Sequence, residues 1–199
     1  VKGTVDKRDS IIDAACAVLV EHGVAELAVA DVAARAHVSA ALVYYHFGTK
    51  QLLLAAAAER LATRRSASRS DALASTEGLA ALDALWSALA TGAGSDAERA
   101  WADLTLLARQ DPAVRGTLDA ARGAEQRALA ECLPRVLTGL GSALQVPPDE
   151  AAAVVLHFLD GIALALAGGV EGAELRAAYD AFWLVLVTAG QGRARRAGT

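Results

Sequence analysis

Apolar residues recur along the chain at three- and four-residue spacing, with short polar breaks between the runs. This is the period of amphipathic helices, and it predicts an all-α fold. The first run (Ile12, Ala15, Cys16, Leu19) is one face of a helix that should start at Asp9 or Ser10. It should stop at His22-Gly23, with His22 serving the helix end. Val29, Val32, Ala33 and Ala36 give a shorter second helix its apolar face, and His37-Val38-Ser39 interrupts it. Ser39 suits an N-cap, because its hydroxyl can accept from a free backbone N–H of the next turn. Val38 and Val43 have the spacing of a hydrophobic staple across that cap. Val43 and Phe47, four apart, form the buried edge. At about 100° per residue, Ala41 and Tyr45 point almost opposite to it, with Leu42 and Tyr44 to either side. Gly48 closes this helix, and Thr49 caps a fourth that opens at Lys50. Two short helices on a tight turn, the second leaving aromatic residues outside, predict a helix-turn-helix whose outer face needs a partner.

The fourth helix should run through Leu52, Leu53, Ala56 and Leu61 toward Ser70, with Arg60, Arg64, Arg65 and Arg69 as a solvated charged face. Thr76-Glu77-Gly78 marks a boundary. A stripe of Leu79, Leu82, Leu85, Trp86 and Leu89 then stops at Gly92-Ala93-Gly94. Ser95-Asp96-Ala97-Glu98 has the form of a capping box, leading into Trp101, Leu104, Leu107 and Ala108. Asp111-Pro112 starts another helix, a cap followed by Pro at the first helical position. Its Val114, Leu118, Ala121 and Leu129 face inward, and Pro134 should kink or break it. Pro147-Pro148-Asp149-Glu150 opens the next, with acidic residues in the first turn.

That helix, to about Ala167, is apolar nearly all round, and so is Phe182 to Ala189 in the last one. One subunit of this size cannot easily cover both. A homodimer can, by docking Glu150–Ala167 and Ala178–Ala189 against their own copies, with Leu159 and Val185 in the seam. A membrane span over Ala151–Val170 is the competing reading. His157, Asp160, three glycines and the lack of flanking cations argue against it, so no membrane partner is expected.

Composition sharpens this picture. Hydrophobic residues are 54% of the 199, yet aromatics are only 5%, so the surplus is helix-forming Ala and Leu together with Val. There is no Asn, which excludes N-glycosylation. Cys16 and Cys132 lie in predicted helices without CxxC spacing and read as apolar thiols in a reducing compartment. No secretory leader is read ahead of the first helix, and a cytoplasmic location is expected. The net charge of −4 is awkward for a nucleic-acid binder. Over residues 1–50, Lys2, Lys7, Arg8, Arg35 and Lys50 face one more carboxylate than their own number: Asp6, Asp9, Asp13, Glu21, Glu26 and Asp31. Placement must then do the work of net charge, through a basic arm before the first helix and Lys50 beyond the third.

The run VSAALVYYHFGTKQLL, with RDSIIDAACAVLVEHGV upstream, resembles the TetR family of one-component bacterial regulators over roughly the first sixty residues. The resemblance implies a three-helix DNA-binding domain, a C-terminal helical domain for ligand binding and dimerisation, and a helix Ala40–His46 placed in the major groove of an operator. It also implies DNA contacts from Tyr44, Tyr45, His46 and Lys50. Ser39, Ala40, Ala41 and Leu42 complete the expected interface at the helix start. Ala40, Ala41 and Leu42 offer no side-chain hydrogen bond and can read only thymine methyls and shape. Two positions depart from the family pattern: His37 stands where Gly is usual in the turn, and Ala28 where Thr or Ser usually caps the second helix. Trp101, Asp111-Pro112 and HFLDGIALAL loosely resemble the betaine-regulator type of TetR C-terminal half.

The expected divisions are 1–50 for DNA binding, 51–77 as connecting helix and linker, 78–191 for ligand binding and dimerisation, and 192–199 as a disordered tail. Trp86, Trp101, Leu104, Thr105, His157 and Asp160 are candidates to line a cavity for a small, mostly apolar effector. For Trp86 and Trp101, plain core packing is an equal alternative. The chain has no Gly-rich phosphate loop after a strand, no HExxH and no Gly-x-Ser-x-Gly elbow. No cofactor, metal site or catalytic residue is therefore expected. His157 and Asp160, three apart, are the one acid/base-like pair, and a His–Asp hydrogen bond within the bundle is its simpler reading. The expected function is a dimeric, ligand-responsive repressor of a palindromic double-stranded DNA operator. The alternatives are a helical ligand-binding module that no longer reads DNA, and an enzyme using His157 and Asp160.

Overall fold

The structure is a computed structural model that describes the backbone of residues 2–197 and the side chains of residues 7–91 and 96–191. Among the described residues every regular element is a helix: α1 Lys2–Glu26, α2 Val29–Arg35, α3 Ala40–Phe47, α4 Lys50–Ser75, α5 Leu79–Ala90, α6 Gly92–Leu107, α7 Pro112–Gly139, α8 Pro148–Ala167 and α9 Gly172–Ala197. The chain forms two compact units. The first comprises Val1–Arg65 with Asp96–Arg122, and the second Ser66–Ser95 with Gly123–Thr199. Most of α6 and the start of α7 thus pack in the same unit as the helix-turn-helix.

The core of the first unit is built from the small aliphatic stripes of its helices. Ile11, Ala15, Leu19, Val32, Val43, Leu53, Leu104 and Val114 are all buried in it. Cys16 belongs there too, its thiol donating to the Ala57 carbonyl at 3.5 Å. Burial outweighs the nearby Arg64 and Arg60 charges and pushes this thiol up to about 11, so it stays neutral. The α1 backbone begins at Lys2, ahead of the expected Asp9 or Ser10, and it breaks at Gly23, where φ is 78° and ψ is 174°. The positive φ at Gly23 favours glycine, and a Cβ there would also press on the exposed Asp103 carboxylate, whose Oδ2 lies 3.1 Å away.

The second core gathers the aromatics. Tyr179 is fully buried and donates its hydroxyl to the Leu82 carbonyl at 2.8 Å. Trp86 and Trp183 lie against its ring at centroid distances of 5.3 and 6.1 Å, and Phe158 stacks on Phe182 at 3.9 Å. Helix α7 continues through Pro134 to Gly139 and does not break. The loop after it is fastened to α9, because Ser142 Oγ donates to the Val187 carbonyl at 2.7 Å and Gln145 reaches the Gly190 carbonyl. At Gly190 a Cβ would collide with Ser142 Oγ and with the Ala143 main chain.

Helix α8 is long and apolar enough to cross a membrane by length and composition, yet seven of its residues, among them Val155, Leu156, Leu159 and Ile162, are buried in this second core. Leu159, expected in an intersubunit seam, is only 1% exposed and belongs to that core. The open face of α8 carries Val154, His157, Gly161 and Leu164 at helical spacing; that of α9 carries Ala177, Ala181, Leu184, Val185 and Thr188. Val154, Leu164, Leu184 and Val185 are each about 60% exposed or more.

Two expectations lie outside the described side chains. Ser95 of the proposed capping box is one, and α6 starts at Gly92 before it. The other is the tail 192–199; Gln191 is the last residue whose side chain is described.

Candidate nucleic-acid interface

Ser39 caps α3 as its type requires: its Oγ accepts from Leu42 N at 3.2 Å while its own backbone is extended. Val43 and Phe47 turn into the core and anchor the helix, and Val38 packs against the same cluster, completing the staple. Gly48 ends α3 with φ of 73°, and Thr49 Oγ1 caps α4 by accepting from Leu52 N at 3.2 Å. The cap of α2 is missing: Ala28 stands there with no side-chain bond to offer. The turn between α2 and α3 rests on His37, which holds φ of 54°, the one positive-φ residue other than glycine among those described. A non-glycine side chain in this region carries backbone strain, and His tolerates it better than a β-branched residue would.

What this scaffold presents is specific. Tyr45 is 79% exposed and Tyr44 50%; Ala40 and Ala41 are exposed at the helix start, while Leu42, His46 and Lys50 are half-buried. Tyr45 and His46 meet edge to face at 5.4 Å, which limits the freedom of both rings. Behind the helix the Arg8 guanidinium lies 5.2 Å from the Phe47 ring, fixing a cation close to α3.

The surplus of carboxylates over residues 1–50 is answered locally. Asp9 and Asp13 bind Arg60 at 2.7 Å each, and Arg64 also reaches Asp13. Burial works against the charge of Arg60, but Asp13 and Asp9 outweigh it and hold the guanidinium above its ordinary pKa. Glu21 pairs with Arg35 through both carboxylate oxygens, and that hydrogen bonding lowers the Glu21 carboxyl below its usual range. Among the described side chains, Asp9, Asp13 and Glu21 are thereby paired, the first two by arginines beyond residue 50.

The expected solvated arginine face of α4 is corrected at two positions. Arg65 is buried, bonded through Nε to both oxygens of Glu98 at 3.0 Å and stacked 4.7 Å from the Trp101 ring. Arg69 is buried in the second unit on Glu125 at 3.0 Å and Asp160 at 3.3 Å. No composition or periodicity signal marks these pairs.

The six cavity candidates divide between the units. In the first, Trp101 and Thr105 line a cleft of about 280 Å³ at the α6–α7 turn, while Leu104 is fully buried core. In the second, Trp86 is part of the aromatic cluster on Tyr179. His157 and Asp160 do not bond one another: His157 Nδ1 lies 2.6 Å from the Ala153 carbonyl, and Asp160 turns to Arg69. Arg69 and Glu125 also border a small enclosed space walled by Leu73, Leu85, Leu129, Leu156 and Leu159. The sequence reading missed Arg109, Arg115 and Arg122, which line the first cleft.

Residues 11–57 match the model described as bacterial regulatory proteins, tetR family. A search of curated protein sequences finds no match. Among solved structures, a putative TetR-family transcriptional regulator from Rhodococcus sp. is 22% identical with a TM-score of 0.78, covering 92% of this chain and 99% of that one. A transcriptional regulator from Rhodococcus sp. Rha1 is 25% identical with a TM-score of 0.75, over 92% and 97%. A putative transcriptional regulator from Saccharomonospora viridis, solved in complex with choline, is 17% identical with a TM-score of 0.69, over 89% and 95%.

Proposed function

From the premise that this chain is a TetR-family transcriptional regulator, we propose that it acts in the cytoplasm as a dimeric repressor that releases a palindromic operator when a small effector binds. The observation that carries the DNA-reading part is α3 itself: Val43 and Phe47 pin it to the core while Tyr44 and Tyr45 stand in solvent. A ring left that exposed gains nothing for folding and is available for bases and phosphates. Tyr44, Tyr45, His46 and Lys50 make the contacts, and Ser39 to Leu42 set the approach of the helix start to the groove.

The dimer follows from the open aliphatic faces of α8 and α9, centred on Gly161, Ala181, Leu184 and Val185. Small residues there allow two copies to approach closely, and the large ones supply area to bury. Two α3 helices then address half-sites about one helical turn apart. The relative described in complex with choline supports a small-molecule response for this fold. The effector site draws on Trp101 and Thr105 or on Trp86, His157 and Asp160, which belong to different units. Helix α4 starts at Lys50, directly after α3, and continues into the second unit at Ser66. A tilt of α4 that altered the spacing of the recognition helices would suffice for release, with a coupling of about 1–3 kcal/mol.

The test is fluorescence anisotropy with a duplex taken from upstream of the chain's own coding region, with the stoichiometry read by sedimentation. Saturable binding of one or more dimers, competed poorly by unrelated DNA, is expected. Equal affinity for both duplexes would sink the operator reading.

A further inference from the structure

We propose that the groove between α5 and α9 is the effector site and that its ligand is a small organic cation, an ammonium head on an apolar body. The groove has a volume of about 450 Å³, within the range of ligand pockets, and lies wholly in the second compact unit. Its walls are Leu79, Leu82, Leu140, Trp183, Leu184 and Val187, so an apolar body placed there is drawn out of water.

The charged rim is Asp83, Arg176 and Asp180. Arg176 donates from Nε to Asp180 Oδ1 at 2.8 Å and from an Nη to Asp83 Oδ1. Its guanidinium also lies over the Trp86 and Tyr179 rings, 5.6 and 5.7 Å from their centroids. Both carboxylates are more than half exposed, and each gives only one oxygen to the arginine. Two aspartates sharing one guanidinium leave the rim one negative charge in surplus, with an open oxygen on each. An ammonium at those oxygens is attracted, and an anionic head is repelled.

The groove keeps its shape without a ligand. The Tyr179 hydroxyl donates to the Leu82 carbonyl and ties α9 to α5, and Arg176 bridges the same two helices through Asp83. Trp183 is almost fully buried, so its indole is a fixed part of the wall. Little is left for the ligand to order on binding. Leu184 also stands on the open face of α9, so the groove borders the proposed dimer seam. The site rests on the regulator reading above, and its charged head departs from the mostly apolar effector that the sequence suggests.

The test is calorimetry on the full chain at neutral pH with phenethylamine and hexylamine, both protonated there. Phenylethanol and hexanol serve as neutral matches and phenylacetate as the anionic one. The amines should bind, with affinity falling as salt rises, the alcohols more weakly, and phenylacetate not at all. Asp83→Asn or Asp180→Asn should weaken the amines by roughly two- to fivefold, as fits an exposed rim, and the double variant by roughly tenfold. The alcohols should be unaffected in all three; loss of packing alone would weaken both classes. Alcohols binding as tightly as amines, an unchanged amine affinity in the double variant, or no binding by any probe at millimolar concentration would each overturn the site. Operator anisotropy separates the two proposals. Amines that bind but leave operator affinity unchanged overturn the effector role. If no probe binds while the operator is still recognised, the site falls and the regulator reading stands; if amines bind and no operator is recognised, the regulator reading falls.

Discussion

The outer face of α3 and the open face of α8 and α9 expose apolar groups to a similar degree, Tyr45 at 79% and Val185 at 67%, yet they suit opposite partners. On α3 both large exposed groups, Tyr44 and Tyr45, carry a hydroxyl, and beside them stand the half-buried His46 ring and the Lys50 ammonium at the start of α4. On α8 and α9, Val154, Leu164, Leu184 and Val185 carry none. A surface with both ring and hydroxyl works well when part of the contact remains wet, as on a DNA groove. A mainly aliphatic one, whose His157 and Thr188 already bond to carbonyls of their own helices, is stable only when water is driven out, as between protein helices. Exposure alone does not classify a partner; the polar atoms beside it do.

The comparison breaks first at its dry side. Val185→Asp would bury an unpaired charge in the proposed seam and should weaken self-association by several kcal/mol, giving monomers in sedimentation with the fold intact. A variant that still dimerises would move the interface elsewhere. The two thiols contrast the cores themselves. Cys16, almost fully buried in the first core, has its pKa raised by burial. The folded state therefore keeps a proton that the unfolded state gives up. Stability from this group is fully present below about pH 9 and is lost as pH rises toward about 11, a decline of about 2–3 kcal/mol across the window. Urea titrations from pH 8 to 11 should show a steeper decline in the wild type than in Cys16→Ala, where Cys132 and Tyr179, also raised by burial, leave a residual slope. Cys132 is half-buried and shifted upward less far, so it should be the faster of the two to alkylate in the native state.

On the wet side, Tyr45→Ala should weaken operator binding by about 1–3 kcal/mol and leave the melting temperature nearly unchanged. A large loss of stability would mean that the ring packs into the fold and does not stand free in solvent. Lys50→Ala should lower affinity for all duplexes alike and reduce the salt slope by about one unit. The smallest expected effect is at the turn. His37→Gly relieves the left-handed strain but frees the unfolded chain, so the net gain should be about 1 kcal/mol or less by thermal unfolding.

The local devices of the helix-turn-helix were legible because each is nearest-neighbour chemistry. The Ser39 cap, the Val38–Val43 staple, the Gly48 stop and the left-handed His37 all depend on residues within five positions. The buried arginines were not, since Arg65 meets Glu98 across 33 positions, and Arg69 meets Glu125 across 56 and Asp160 across 91. Read along α4 alone, both look like surface charge. Helical period likewise tells which side of a helix faces inward but not which core receives it. That is why Trp101 and Thr105 were grouped with Trp86 and His157, though they serve different units. Leu159 failed as a seam position for the same reason: on a helix apolar all round, pattern cannot separate the side that meets its own core from the side left open.

The contact between Gly190 and the Ser142 loop has a consequence for how this sequence can drift. Around it, Thr188, Ala189 and Gln191 are exposed and should accept most substitutions, so a mutational scan of the last helix would read as permissive. At 190 the space is already occupied by Ser142 Oγ and the Ala143 main chain. Even alanine would have to displace a backbone segment that two hydrogen bonds tie to α9. Glycine at that position should thus persist as a single fixed letter in a tolerant stretch, kept by a neighbour's main chain and not by any conformation of its own.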